Sequence, residues 1–327
     1  MNISEINKES VEQRIKIILI FSIFIAMLGF LTDFENTLKY RGADLRTRVV
    51  GARFLINRFD PYSSKWNDDL SDFYLDPGDH KYSPVNKVLD TPTILFIHSL
   101  FAKIPYKLQR IIWFAFQWIF LVLTLFLLAS STGSKNRSKL IWIIGFFFIS
   151  GSSFWRLHVE KGQIYILYIF LITFAYWLSQ RISKNSQLFS GILLGLTASL
   201  YPPIIVIYIP MLIFKRWKLF GGNICGLLLG LIISIVKADL SLWKKYISSM
   251  YIHIKMNLGL IDYYGLYSKF DPEGMNNFFF SSVMPPFDSS LPAVIKIFFG
   301  INLSLNTSIV FLSIFIILCI FLLYKCL

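Results

Sequence analysis

Charge is what this chain has least of. Only 16% of its 327 residues are Asp, Glu, Lys or Arg, while 55% are apolar; a soluble domain carries about a quarter charged. An ordinary water-soluble globule is therefore excluded, and several apolar runs approach or reach the roughly 20 residues that cross hydrocarbon. Acid is scarcer than base, 19 residues against 32, for a formal net charge of +13. Those cations sit in short clusters between apolar runs, the pattern of cytoplasmic loops, and no basic stretch is long enough to fold alone. No nucleic-acid partner is expected. Cysteine is nearly absent. Cys225, Cys319 and Cys326 form no CxxC, no Cys/His metal spacing and no disulfide framework, and Lys325-Cys326-Leu327 is not a prenylation box. No metal site and no cofactor follow from the sequence.

What is present is an ordered series of apolar runs, at residues 17–31, 108–130, 140–154, 163–179, 187–200, 203–214, 219–236 and 303–324. They predict an all-α, polytopic helical membrane protein with about eight transmembrane helices in a single domain, residues 1–327. Two long external loops interrupt them, at 32–107 and 237–302. Lys8, Arg14 and Lys16 precede the first run and no small-residue cleavage site follows it, so it reads as an uncleaved anchor with a cytoplasmic N-terminus. Alternate crossings then place the basic segments 135–139, 181–184 and 215–218 on the cytoplasmic side and both long loops outside. The pair of runs flanking Tyr201-Pro202-Pro203 is short enough to dip into the membrane. Gly191/Gly195 and Gly226/Gly230 read as close helix packing.

The first loop carries the richest pattern. Leu45, Val49, Ala52, Ile56 and Phe59 recur at helical spacing, and Asp60-Pro61-Tyr62 stops that helix. Between residues 86 and 104 an apolar stripe is interrupted by Lys87, Asp90, His98 and Lys103. Spanning would bury those groups, so a helix lying in the interface is expected, with Pro92 near its start and Pro105 at its end. Asp44 opens the first helix. It reads both as an N-cap and as a rigidly held carboxylate facing a substrate, kept ionised by Arg48 one turn on. Farther along, Arg156, His158, Glu160, Lys161 and Gln163 crowd a short turn between two membrane helices, where charge is costly unless it is used.

Taken in order, Gly42-Ala43-Asp44-Leu45, Ala52-Arg53-Phe54-Leu55, Asp60-Pro61-Tyr62, Tyr82-Ser83-Pro84, Ile104-Pro105, Trp113, Gly162-Gln163 and the block from Gly191 through Pro202 to Arg216-Trp217 form a series. It resembles the polyprenyl-phosphate-mannose-dependent mannosyltransferases of the GT-C fold. A weaker likeness reaches Asn276-Asn277, while Ser83, Tyr165 and Tyr201 depart from that family's pattern. The resemblance implies an integral membrane glycosyltransferase in the cell membrane, the bacterial cytoplasmic membrane in the first place, with its active site outside. It would transfer a hexose, mannose first, from a polyprenyl-phosphate sugar donor to a glycan or glycolipid acceptor, with inversion. Asp44 is then the general base. Lys81, Arg156 and Lys161, with Arg46 and Arg48, would stabilise the leaving phosphate, and each has interfacial snorkelling as its alternative. Tyr62, Tyr82, His158, Glu160 and Gln163 would bind substrate. His158 and Glu160 can equally pair with each other, and Gln163 can serve helix packing.

A lipid donor agrees with two further absences: there is no Asp-x-Asp and no Gly-rich nucleotide loop after a strand. The competing readings are a lipid-linked sugar transporter or flippase, which should show internal repeats and mid-membrane ionisable groups, and a polysaccharide polymerase or ligase. No repeat is found, and the charges gather in loops.

Overall fold

The computed structural model describes residues 3–40, 42–64, 70–74, 88–181, 183 and 185–257, of which 3–10, 237–238 and 255–257 are described by backbone alone. Contacts divide the chain into two units, Met1–His80 with Asn86–Ile247, and Lys81–Val85 with Ser248–Leu327. Of the second, residues 248–257 are described, and they complete one helix. The first unit carries everything below.

Every regular element among the described residues is helical. In order they are α1 (Ile3–Lys39), α2 (Ala43–Ile56), a short 3-10 turn (Asp72–Tyr74), α3 (Pro92–Ser99), α4 (Tyr106–Ser130) and α5 (Lys135–Ile143). A π-helical stretch (Ile144–Ile149), α6 (Ser153–Lys161), α7 (Tyr165–Ser179), α8 (Ser186–Leu200), a 3-10 stretch (Pro202–Ile207), α9 (Tyr208–Ile213) and α10 (Trp217–Asn257) follow. Among the described residues three helices are long and apolar enough to cross a membrane: Val11–Lys39, Tyr106–Ser130 and Trp217–Val236. Lys135–Ile149 and Ser153–Lys161 qualify together but meet at a 70° bend, so they make a fourth if taken as one broken span. The expected spans at 163–179 and 187–200 are helices of 15 residues, and that at 203–214 divides between the 3-10 stretch and α9. The last expected span, 303–324, lies outside the described residues.

Two expected boundaries move. The first membrane helix does not end at Leu31 but runs to Lys39, because the polar Asp33 and Thr37 are buried, each 2% exposed. Residues 237–257 likewise continue α10 rather than opening a loop, with a break at Asp239 (φ 64°, ψ 151°). Within 86–104, α3 has only eight residues, about 12 Å of helix and far too little to span.

Packing explains the order. Phe114, Trp118, Leu121 and Leu125 of α4 bury against Trp155 and Val159 of α6 and Ile166 of α7. A second cluster joins Ile94 of α3 to Ile164, Tyr168 of α7, Ala198 of α8 and Ile204. Outward faces of α1 and α4, such as Ile20, Leu31, Ile119 and Phe126, stay exposed and apolar, as lipid contact requires. Three of the GxxxG residues, Gly191, Gly195 and Gly226, pack backbone to backbone, a Cβ on Gly195 meeting the Asn223 carbonyl and one on Gly226 the Ile192 carbonyl, while Gly230 faces the Ser199 side chain. Lys139 pairs with Glu12 at 3.0 Å, so the starts of α1 and α5 share one end of the bundle. The other end gathers the polar residues.

Candidate active site

At that end α2 begins on Gly42, in the left-handed conformation (φ 66°) with no side-chain cap. A Cβ there would lie 2.7 Å from the Arg110 guanidinium, so glycine is required twice over. Asp44 is therefore not the N-cap. It is the second helical residue, partly exposed, at the positive end of the helix dipole. Arg48, one turn on, is 2% exposed and does not pair with Asp44. Its guanidinium donates to the Gly162 carbonyl and lies 5.2 Å from the centre of the Trp113 ring, while its Nε has no partner.

Gly162 is where α6 ends. Its left-handed φ of 68° lets the amides of Gly162 and Gln163 fold back on the carbonyls of Val159 and His158, both at 3.0 Å. Arg110 donates to the same Val159 carbonyl, at 2.9 Å, and to the Glu160 carbonyl. Two guanidiniums thus sit at the negative end of a helix dipole, where cations are favoured. The Gln163 carbonyl accepts from Gln117 at 3.0 Å and from the Trp113 indole at 3.3 Å, which fixes the start of α7 on α4.

The third wall is α3. Thr91 caps it, accepting from the Ile94 amide, and donates to the Leu200 carbonyl at 3.1 Å. The buried Tyr62 hydroxyl donates to the Asp90 carbonyl at 2.8 Å. Burial pushes the Asp90 carboxyl up to about 6; Arg48 opposes this and Asp44 adds to it. Burial, with Arg48 next, pushes His98 down to about 3 and keeps it neutral. Beneath these groups lies a cavity of about 390 Å³ whose wall includes Leu45, Ile94, His98, Trp113, Ile164 and Leu200.

The structure brings Asp44, Arg48, Tyr62, His158 and Gln163 to this one end. His158 does not pair with Glu160; it stacks on Trp155, with ring centres 5.4 Å apart. Glu160 contributes its carbonyl, to Arg110. Arg46 lies over the Tyr106 ring at 4.3 Å. Arg156 and Lys161 are exposed on α6, with Arg156 in electrostatic reach of the buried Asp33. Lys81 and Tyr82 lie outside the described residues. Sequence reasoning missed two members. Arg110 lies inside the apolar run 108–130 and was not singled out, and Asp90 looked like a mere interruption of an apolar stripe. Its place directly before Thr91-Pro92, a capped helix start, was the available signal. No group of three His, Cys, Asp or Glu able to hold a metal occurs among the described residues.

A family model described as glycosyltransferase family 87 matches residues 89–281, more than half of the chain, beginning just before α3. Comparison with curated proteins and with solved structures gives no match.

Proposed function

Because the chain belongs to glycosyltransferase family 87 and is a glycosyltransferase, we propose that it transfers a hexose, mannose first, from a polyprenyl-phosphate donor. The acceptor is a hydroxyl of a glycan or glycolipid on the external face of the cell membrane. The observation that carries this reading is the pairing of Arg48 with the cavity below it. A buried guanidinium with an open Nε is costly to maintain, and it lies against Trp113, whose ring lines an apolar cavity. A lipid phosphate fits both: its tail suits the apolar wall and its phosphate suits the guanidinium.

In this mechanism the acceptor hydroxyl oxygen attacks the sugar C1 from the face opposite the phosphate. The new C1–O bond forms as the C1–O(phosphate) bond breaks, so the configuration inverts. The bonding pair leaves on the phosphate oxygen, giving polyprenyl phosphate. The hydroxyl proton passes to Asp44, which lies in the first turn of α2, on the same helix as Arg48. Arg48 stabilises the leaving phosphate, and the neutral His98 at the cavity wall adds no charge that would compete. Arg46 packs on Tyr106 and would act only at longer range, while the exposed Arg156 and Lys161 suit snorkelling. His158 and Gln163 face the same end as ligands for sugar hydroxyls.

The decisive measurement is release of polyprenyl phosphate from radiolabelled polyprenyl-phosphate-mannose by the purified full chain, with a nucleotide-linked mannose as control. Acceptor-dependent release from the lipid donor alone is expected. Turnover of the nucleotide sugar, with the lipid donor inert, would sink the proposal.

A further inference from the structure

The reaction as written gives the Asp90 carboxylate no work. Asp90 is fixed through its backbone: Tyr62 holds its carbonyl at 2.8 Å, and the neighbouring Thr91 ties the start of α3 to the Leu200 carbonyl at 3.1 Å. The turn after α2, the start of α3 and the end of α8 therefore converge on this residue. Both anchors are buried, Tyr62 at 6% exposed and Thr91 at 2%. The carboxylate itself is only partly buried and accepts from no side chain or amide among the described residues. The helix start that it precedes is capped by Thr91 instead.

Its surroundings suit a particular ligand. The partly exposed Tyr201 stacks face to face on the buried Tyr168, centres 4.9 Å apart, and both Tyr168 and Arg48 feel the charge of Asp90. A sugar ring offers apolar C–H faces for aromatic contact and hydroxyls that donate to a carboxylate, a charge-assisted bond. A second carboxylate, Asp44, is close enough to repel Asp90. Two like charges near one another oppose folding unless something uses them.

We propose that Asp90 orients the acceptor: it accepts a hydrogen bond from an acceptor-sugar hydroxyl beside the one that Asp44 deprotonates. The inference rests on the glycosyl-transfer reading with Asp44 as base. No proton is transferred to Asp90, so its role is in binding. Donor binding belongs to Arg48 and the cavity, and acceptor binding to Asp90 and Tyr201. Because burial holds the Asp90 carboxyl near 6, acidification through that value turns the acceptor group into an acid and loosens the acceptor.

The test uses the full chain in membranes, polyprenyl-phosphate-mannose as donor and octyl mannoside as acceptor probe. It follows kcat and both KM values for wild type, Asp90→Asn, Asp90→Glu and Asp44→Asn. Asp90→Asn should raise the acceptor KM on the order of ten-fold or more, the scale of one charge-assisted hydrogen bond. Donor KM should stay within about two-fold, and the acid-side rise in acceptor KM should vanish. Asp90→Glu should recover part of the affinity. An unchanged acceptor KM in Asp90→Asn overturns the proposal. Equal loss of donor and acceptor binding in both Asp90 variants also overturns it, since that marks a structural role. If Asp44→Asn keeps its kcat while Asp90→Asn loosens the acceptor, the base assignment fails and the orienting role stands.

Discussion

Two junctions hold this bundle together by opposite means. Where α2 and α4 meet the end of α6, long side chains do the joining, with Arg48 of α2 and Arg110 of α4 reaching the last carbonyls there. Where α8 meets α10, side chains are absent and the backbones touch, at Gly191, Gly195, Gly222 and Gly226. The glycine seam admits no intruder and offers no free donor, although the buried Asn223 within it keeps an Oδ1 without a partner. The arginine junction leaves spare capacity: the Nε of Arg48 and two guanidinium nitrogens of Arg110 have no partner. A seam made by omission is finished when the chain folds, whereas a junction made by reach retains donors that a ligand can take.

The sharpest test of that contrast is Asp44→Asn. Asparagine keeps the size and the local hydrogen bonding but takes no proton near neutral pH, so transfer should fall about a hundred-fold or more while thermal stability stays at the wild-type level. A stable variant with normal turnover would remove Asp44 as base. Asp33 then cannot simply replace it, since that carboxylate is buried on α1 beside Trp155 and Trp118.

The converse test is Gly195→Leu on the seam. Its first carbon would fall 2.0 Å from a backbone oxygen, which cannot rotate aside as a side chain can. A loss of about 3 kcal/mol is expected, the upper part of the overpacking range, read as a lower melting temperature in detergent. Any protein that still folds should keep its KM values. A folded variant with altered KM would show that the seam also tunes the site.

Gly162→Ala bridges the two regions. The left-handed backbone costs an L-residue roughly 1–2 kcal/mol, and the new Cβ would lie 2.8 Å from that of Leu45. Because the Gly162 carbonyl receives Arg48, donor KM should rise along with the stability loss, unlike at Gly195.

The smallest effect is in pH. The Asp90 carboxyl is raised in the folded chain, to about 6. Its contribution to stability is fully present below the unfolded value and is lost as pH rises through about 6. Asp90→Asn should therefore gain stability relative to wild type above that pH and match it in acid. Melting curves at several pH values would detect the difference, and parallel curves at every pH would argue that Asp90 is well solvated.

Much of this could be read from the chain. Apolar runs near α1, α4 and α10 announce themselves by length alone. The period of Leu45, Val49 and Ala52 and the stop at Asp60-Pro61-Tyr62 locate α2, whose last residue is Ile56. The Gly162-Gln163 pair stands out as a motif, although its work, a helix end that receives Arg48, does not. What escaped depends on partners far away in sequence. Thr32-Asp33-Phe34-Glu35 looks like a loop until Trp155 is placed beside Asp33, and Asp90 looks like an accident until Tyr62 and Leu200 close on it. Local pattern gives elements; it cannot say which polar residue a distant helix will shelter.

One pair of contacts fixes a depth. At the far end the Trp177 indole donates to the Ser130 hydroxyl at 3.0 Å, so the end of α4 and the last turn of α7 are level. At the near end Gln163, just before α7 starts, meets Trp113 and Gln117, not Tyr106 where α4 starts. The seven residues from Tyr106 to Trp113 amount to about 10 Å of helix. Alpha-4 therefore overtops the start of α7 by about two turns, and the reacting end lies at the foot of a step. Among the described residues, a ligand seated on that floor has the first two turns of α4 standing beside it as a wall.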